Sequence, residues 1–207
     1  MRSAFEESAA AYYSGKLSQH GSTPAGVDWN SADSQQLRFD QLLKVCPEGG
    51  GFSLLDYGCG YGALLSYLEH KQLGGEYWGY DVSTAMVDKA RNLHTGIARA
   101  AFASAWDEVP AVDYTLASGV FNVKQSAGVS EWQAYVMESL ARIAAASKRG
   151  FAFNLLTSYS DPERMRAHLY YADPCLFFDH CKTRFSRQVA LLHDYGLYEF
   201  TILVRMT

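Results

Sequence analysis

One stretch constrains the fold of this chain more than any other, residues 54–65 with the sequence LLDYGCGYGALL. It combines an apolar run that ends in an acid, glycines at alternate positions and a second apolar run. Alternate glycines let the backbone take positive φ values and approach a bound group closely, where a Cβ atom would obstruct it. The stretch therefore predicts a buried strand that turns sharply beneath a ligand and continues as a helix.

The glycine spacing alone leaves two kinds of cofactor open. Gly58, Gly60 and Ala63 satisfy the relaxed dinucleotide fingerprint. Asp56 argues against a pyrophosphate at this turn, because its carboxylate ends an apolar strand, where a charge is costly unless it is paired, and would repel phosphate. A ligand that carries a cation and no phosphate fits this position better.

The same stretch resembles motif I of the class I S-adenosylmethionine-dependent methyltransferases. The DxGxGxG loop of that family is matched here by Asp56, Gly58, Gly60 and Gly62. The resemblance covers about residues 36–207. It implies that S-adenosyl-L-methionine is the cofactor, that S-adenosyl-L-homocysteine is the product, and that Cys59 contacts the cofactor with the rest of the loop.

A second acid strengthens this resemblance. Residues 76–81, EYWGYD, read as a strand, and Ser83 is a suitable N-cap for the helix that follows. Asp81 ends this strand 25 residues after Asp56. A carboxylate at this position can accept hydrogen bonds from both hydroxyls of a cofactor ribose. The neighbouring residue Val82 is included in the expected cofactor site.

Further cofactor positions follow from the resemblance. Arg38, on a helix before the glycine loop, is a basic residue suited to the cofactor carboxylate. Ala105 and Trp106, in the loop after the third strand (residues 97–102), are expected to pack on adenine. Ser118 and Gly119, at the end of the fourth strand, occupy the position of motif IV.

The end of the chain predicts the topology. QVALLHDYGLYEFTILVRM contains two strands joined around Tyr195 and Gly196, and a terminal antiparallel hairpin is typical of this family. The predicted fold is α/β and Rossmann-like: a seven-stranded, mostly parallel sheet with an antiparallel last strand, helices on both faces and an N-terminal helical cap.

The substrate side is less defined. We expect residues 1–35 to form a cap or lid, residues 36–207 to form the S-adenosylmethionine-binding domain, and residues 157–187 to interrupt the alternation of strands and helices as a substrate-side insertion. No catalytic residue and no metal site are indicated. Candidate substrate contacts are Tyr13, Asn122, Tyr170 and Tyr171.

Composition excludes several classes of protein. A length of 207 residues with 48% hydrophobic content predicts one domain. The net charge of −4 and the lack of a Lys/Arg cluster longer than two residues argue against nucleic acid as the main partner. Four cysteines without a CxxC pattern and the lack of a run of 18 apolar residues predict a cytoplasmic protein with reduced thiols and no membrane span. The oligomeric state is not encoded in any visible pattern.

The predicted function is transfer of a methyl group from S-adenosylmethionine to an oxygen or nitrogen of a small molecule. A non-catalytic module that binds S-adenosylmethionine is the alternative from another class. A nicotinamide-dependent oxidoreductase rests on Gly58, Gly60 and Ala63 alone and conflicts with Asp56. The identity of the methyl acceptor cannot be read from a motif, because a fold does not fix its substrate.

Overall fold

A computed structural model describes residues 3–27 and 31–206 of the chain. These residues group into two compact units. The first comprises Met1–Asp40 with Pro47–Pro110, and the second comprises Gln41–Cys46 with Ala111–Thr207. Together they have the predicted α/β Rossmann-like fold, with mostly parallel strands and an antiparallel C-terminal strand.

The first unit contains three parallel strands in the order β3, β2, β1. They are β1 (Leu54–Tyr57), β2 (Tyr77–Tyr80) and β3 (Ala100–Ala103). Helix α3 (Ala63–His70) follows β1, and helix α4 (Thr84–Leu93) follows β2. The register places Asp56 opposite Gly79, so both strands end at the same edge.

The N-terminal segment is more regular than its sequence pattern indicates. Helix α1 spans Ala4–His20, a 3₁₀ turn spans Pro24–Val27 and helix α2 spans Ala32–Leu43. A capping box starts α1, since Ser3 Oγ accepts from the Glu6 amide at 3.2 Å and the Glu6 carboxylate accepts from the Ser3 amide at 2.8 Å. The predicted helical cap is therefore present as a 17-residue helix.

The second unit contains four main strands in the order β4, β5, β8, β7. They are β4 (Val112–Ala117), β5 (Ser147–Thr157), β7 (Gln188–Leu192) and β8 (Glu199–Arg205). Strand β4 is parallel to β5, whereas β8 is antiparallel to both β5 and β7, which confirms the terminal hairpin. A two-residue strand, β6 (Tyr171–Ala172), pairs with β5.

Two helices accompany these strands, α5 (Val129–Ala146) and α6 (Pro174–Arg184). That residues 157–187 form a substrate-side insertion stays a prediction. Helix α6 lies within this range. It starts there because the Asp173 carboxylate accepts from the Cys175 amide at 2.8 Å and Pro174 occupies the first turn. A short 3₁₀ turn, Pro162–Arg164, precedes it.

Strand β5 shows how deeply the second unit is packed. Its consecutive residues Phe151, Ala152, Phe153, Asn154 and Leu155 are all fully buried. Since successive side chains of a strand point to opposite faces, both faces of β5 are covered, as is usual for a strand inside an α/β sheet. Within residues 3–27 and 31–206, no helix is both long and apolar enough to cross a bilayer.

Candidate functional site

The glycine loop follows β1 and leads directly into α3. The amides of Gly58 and Cys59 both donate to the Tyr80 carbonyl, at 2.7 and 2.9 Å. Gly60 has a φ of +54°, a value that residues with a Cβ rarely adopt. The loop is therefore bent sharply and is held against the end of β2.

Asp81 links this loop to the turn after β2. Its Oδ2 accepts from the Gly60 amide at 2.9 Å, and its Oδ1 accepts from the Ser83 amide at 2.8 Å. The residue is buried. Ser83 Oγ in turn accepts from the Met86 amide at 3.2 Å, which confirms Ser83 as the N-cap of α4.

Asp56 lies inside the protein rather than at its surface. Only 3% of the residue is exposed, and its Oδ2 accepts from the Tyr77 hydroxyl at 2.7 Å. Burial raises the pKa of this carboxyl to about 7; the Tyr77 hydrogen bond opposes the shift, and the nearby Asp81 charge adds to it. Asp56 therefore joins β1 to β2 and exchanges a proton near neutral pH.

Parts of the N-terminal segment contact the glycine loop. Val27 Cγ1 lies 3.1 Å from the position that a Cβ at residue 60 would occupy. In α1, Ser14 Oγ is 2.9 Å from Ser83 Oγ, and in α2 the Gln35 side chain hydrogen-bonds the Tyr61 hydroxyl. This segment therefore covers the loop, as a lid would. The opening of a lid stays a prediction.

Arg38 and Trp106 also belong to the first unit. Arg38 is buried in α2, where its Nη1 donates to the Ser34 carbonyl at 2.8 Å. The Trp106 ring packs edge-to-face on Tyr57 and Tyr80, with centroid distances of 5.7 and 5.2 Å. The structure thus brings Trp106, which follows Ala105 in a 3₁₀ turn (Trp106–Glu108), to the ends of the two strands that carry Asp56 and Asp81.

The second unit contains the predicted motif IV residues. Gly119 follows β4 with a φ of +70°, and its amide donates to Asn154 Oδ1 at 2.8 Å. The Oγ atom of Ser118 is buried and has no hydrogen-bond partner among the described residues. Because buried hydroxyls normally have partners, this atom marks a position where a ligand could supply one.

Three candidate substrate residues also lie in the second unit. The Asn122 side chain is buried, and its Oδ1 accepts from the Leu156 amide at 3.2 Å, while the Asn122 carbonyl accepts from the Tyr170 amide at 2.8 Å. The Tyr171 hydroxyl accepts from the Arg166 amide at 3.0 Å. These contacts bring Asn122 and Tyr170 together, and each of them is a hydrogen bond from a backbone amide.

Tyr13 lies in α1 of the first unit, where its ring packs edge-to-face on Tyr12 at 5.1 Å between centroids. A role in substrate binding stays a prediction for Tyr13 and for the three residues of the second unit.

Asn154 and Glu199 were missed by the sequence reasoning. Both are buried, and Asn154 Nδ2 donates to Glu199 Oε2. The available signal was the single polar residue in the apolar strand sequence FAFNLL, since a polar group in such a strand is costly unless it is hydrogen-bonded.

Comparison with known proteins adds a family. Residues 18–198 match the family described as "Methyltransferase domain". The Mycobacterium tuberculosis protein Rv1506c, whose name assigns it only provisionally as a methyltransferase, is 54% identical over 163 residues. That alignment covers 79% of this chain and 98% of the relative.

Solved methyltransferase structures share the fold at low identity. The Synechocystis PCC 6803 magnesium protoporphyrin IX methyltransferase with bound S-adenosylhomocysteine is 13% identical, with a TM-score of 0.64 over 98% of this chain and 96% of that one. The Burkholderia thailandensis 1,6-didemethyltoxoflavin-N1-methyltransferase, with bound 1,6-didemethyltoxoflavin and S-adenosylhomocysteine, is 19% identical. Its TM-score is 0.62 over all of this chain and 92% of that one.

Proposed function

Because this chain belongs to the methyltransferase domain family, we propose that it transfers a methyl group from S-adenosylmethionine to an oxygen or nitrogen of a small molecule. The hydrogen bond from the Gly60 amide to Asp81 carries the proposal. It joins the two strand ends at which the resemblance places the methionine and ribose parts of the cofactor. A glycine loop fixed in this way is a ready ligand site before any ligand binds.

Three features of the structure fit this cofactor. Gly60 has a φ of +54° and no side chain, so the backbone of the loop can approach a bound group closely. Asp81 accepts from the Gly60 and Ser83 amides, so its carboxylate lies against the glycine loop, at the strand end where an acid is suited to ribose hydroxyls. The Ser118 hydroxyl, which has no hydrogen-bond partner in the described part of the chain, offers a polar contact on the second unit.

The residues that would hold the cofactor divide by chemistry. The loop residues Gly58, Cys59 and Gly60 provide a close backbone surface, Asp81 with Val82 receives the ribose, and Ala105 with Trp106 receives the adenine. Arg38 would pair with the cofactor carboxylate, since a buried guanidinium is the strongest available partner for that group. The residues of the second unit that we assign to cofactor binding are Ser118 and Gly119.

S-adenosylmethionine supplies an electrophilic methyl group on a sulfonium. The protein must then align the acceptor and exclude water, and alignment alone can contribute roughly 7 to 11 kcal/mol to such a reaction. A general base is needed only for an acceptor that binds in its protonated form. The absence of an evident catalytic dyad from the predicted site is therefore compatible with this chemistry.

A small, partly planar acceptor is the class we favour. Support comes from the tyrosines among the candidate substrate residues, Tyr13, Tyr170 and Tyr171, and from the 1,6-didemethyltoxoflavin bound to the Burkholderia thailandensis methyltransferase. Asn122 is the candidate for orienting the acceptor through its amide. A cytoplasmic location is proposed as well, supported by four cysteines that are all free thiols.

Isothermal titration calorimetry tests this function directly. The full chain is titrated with S-adenosylmethionine, S-adenosylhomocysteine and NAD, and then incubated with a labelled methyl donor and a metabolite extract. We expect binding of the first two ligands and labelling of a small molecule. No binding at millimolar concentration, or preferential binding of NAD, would exclude the proposal, and tight binding without turnover would favour a non-catalytic module.

A further inference from the structure

The amide side chain of Asn154 joins two groups with opposite hydrogen-bonding needs. Its Oδ1 accepts from the Gly119 amide at 2.8 Å, and its Nδ2 donates to the Glu199 carboxylate. Asn154 has no exposed surface, and only 2% of Glu199 is exposed. An amide offers an acceptor and two donors on one rigid plane, which neither an aliphatic nor an acidic side chain provides.

Glu199 determines which way this amide faces. A carboxylate oxygen accepts and a peptide N–H donates, so Nδ2 must face Glu199 and Oδ1 must face Gly119. The β5–β8 register sets Glu199 opposite Leu156 and Thr201 opposite Asn154, so two paired strands carry the interaction. The hydrogen bonds then run from β8 through β5 to the loop after β4.

The last bond in this series fixes one peptide plane. No cis peptide bond occurs among the described residues, so the Ser118–Gly119 bond is trans. In a trans peptide the N–H and the preceding C=O point in opposite directions. Because the Gly119 N–H donates to Asn154, the Ser118 carbonyl points away from Asn154. Ser118 is also the residue whose buried hydroxyl has no hydrogen-bond partner among the described residues.

Packing alone does not account for this arrangement. The neighbours of Asn154 along β5 are Phe153 and Leu155, both fully buried and apolar. Replacing a buried polar pair by apolar residues of similar volume is often neutral or stabilising. A buried amide and carboxylate at this place therefore indicate a task besides stability.

We infer that Asn154 and Glu199 are positioning residues that set the Ser118–Gly119 peptide plane for cofactor binding. The inference rests on the proposed function, which assigns Ser118 and Gly119 to the cofactor site. Glu199 orients the amide of Asn154, and Asn154 orients the peptide. Neither residue has to touch the ligand to act in this way.

Three variants of the full chain test the inference by calorimetry with S-adenosylhomocysteine. Asn154→Leu removes both hydrogen bonds at nearly constant volume. Glu199→Gln keeps an oxygen that accepts from Asn154 Nδ2, and it is the conservative rescue. Thr201→Val is the matched control, because Thr201 is equally buried, pairs with Asn154 across the strands and loses only its bond to the Tyr195 hydroxyl.

We expect Asn154→Leu to raise the dissociation constant about tenfold or more, a change equivalent to about 1.4 kcal/mol. Glu199→Gln and Thr201→Val should stay within about twofold of the wild type, because both keep the Asn154 amide facing Gly119. Wild-type affinity in a folded Asn154→Leu variant would overturn the inference. So would an equal loss in Thr201→Val, because the effect would then be one of general packing.

A measurement on the unmutated chain keeps the test decisive if Asn154→Leu does not fold. The Gly119 amide proton should exchange slowly with solvent in the free wild type and in Glu199→Gln. Rapid exchange in the wild type would show that the bond to Asn154 does not persist, and would contradict the inference. Failure of the wild type to bind S-adenosylhomocysteine, by contrast, would remove the proposed function itself.

Discussion

The backbone amide of Gly60 donates to the carboxylate of Asp81 at 2.9 Å, although 21 residues of sequence separate them. The bond connects the turn after β1 to the turn after β2, and both turns meet at one edge of the parallel strands. Asp81 thus holds the glycine loop, and we propose that it also accepts from the ribose of the cofactor.

Asp81→Ala should weaken binding of S-adenosylhomocysteine by about 1 to 3 kcal/mol, because hydrogen bonds to a charged group are lost. Titration calorimetry measures the change, and a thermal melt confirms that the variant is folded. Asp88→Ala is the control, since Asp88 is an exposed residue of α4 in the same unit. An affinity unaffected by Asp81→Ala would remove the ribose assignment.

Gly60→Ala should destabilise the protein by about 1 to 2 kcal/mol, because a Cβ is unfavourable in the left-handed region. It should also weaken cofactor binding, since the added atom would meet Val27 at 3.1 Å and the loop and Val27 would have to separate by a few tenths of an ångström. Chemical denaturation and calorimetry give the two values.

Gly96→Ala separates the two effects of the change at Gly60. Gly96 has a φ of +91°, and a Cβ there would have no heavy atom within 4 Å. The Gly96→Ala variant should lose stability through backbone strain but bind S-adenosylhomocysteine as the wild type does. Equal binding by Gly60→Ala and Gly96→Ala would argue against a cofactor loop at Gly60.

The raised pKa of the Asp56 carboxyl makes the stability of the folded chain depend on pH. Its pKa is raised from 3.8 to about 7 by burial, so the folded chain holds this proton more tightly than the unfolded chain does. The stabilisation from the proton is fully present below about pH 4 and is lost as the pH rises towards 7. Each pKa unit corresponds to about 1.4 kcal/mol, so the loss is of the order of a few kcal/mol.

Asp56→Asn should flatten this pH dependence. The amide cannot titrate, and its oxygen can still accept from the Tyr77 hydroxyl. Melting temperatures at pH 5 and pH 8 should therefore differ less than in the wild type. Asp107→Asn, an exposed change in the same unit, should keep the wild-type dependence. A wild-type slope in Asp56→Asn would show that another group causes it.

Arg38→Met should lower the affinity for S-adenosylhomocysteine by about 1.5 to 3 kcal/mol, the usual contribution of a hydrogen bond to a charged group. Affinity for adenosine, which lacks a carboxylate, should not change. Arg91→Met serves as the control, because Arg91 is an exposed residue whose side chain pairs with Asp88. Equal losses for both ligands would place Arg38 away from the amino-acid end of the cofactor.

Local patterns made β1, α3, β2 and α4 predictable. Each combines a short apolar run with a distinctive end, such as the glycines after Asp56 or the N-cap at Ser83. The terminal hairpin was predictable for the same reason, because Tyr195 and Gly196 interrupt two β-rich runs. Where neighbouring residues determine an element, one sequence suffices to find it.

Helices α1 and α6 are harder to delimit from the sequence, because their apolar residues form no clear helical stripe. The start of α1 could have been inferred from Ser3 and Glu6, whose spacing is that of a capping box. The start of α6 could have been inferred from Asp173 and Pro174, an N-cap followed by a proline in the first turn. In both cases the capping residues were more informative than hydrophobic periodicity.

The link between Asn154 and Glu199 could not have been inferred locally. The two residues are 45 positions apart, and their meeting depends on the antiparallel register of β5 and β8. A single sequence shows only that Asn154 interrupts an apolar strand. Its partner becomes visible only when the register is known.

The contact between Ser14 and Ser83 makes α1 a suitable place for a fluorescent label that reports on cofactor binding. The two hydroxyls are 2.9 Å apart across 69 residues, and Ser83 is also bonded to Asp81 through its amide. A fluorophore on the exposed residue Ser18 of α1 would thus lie on the helix that contacts Ser83, next to the carboxylate that we propose binds the ribose. Its emission could follow cofactor exchange in real time without any knowledge of the methyl acceptor.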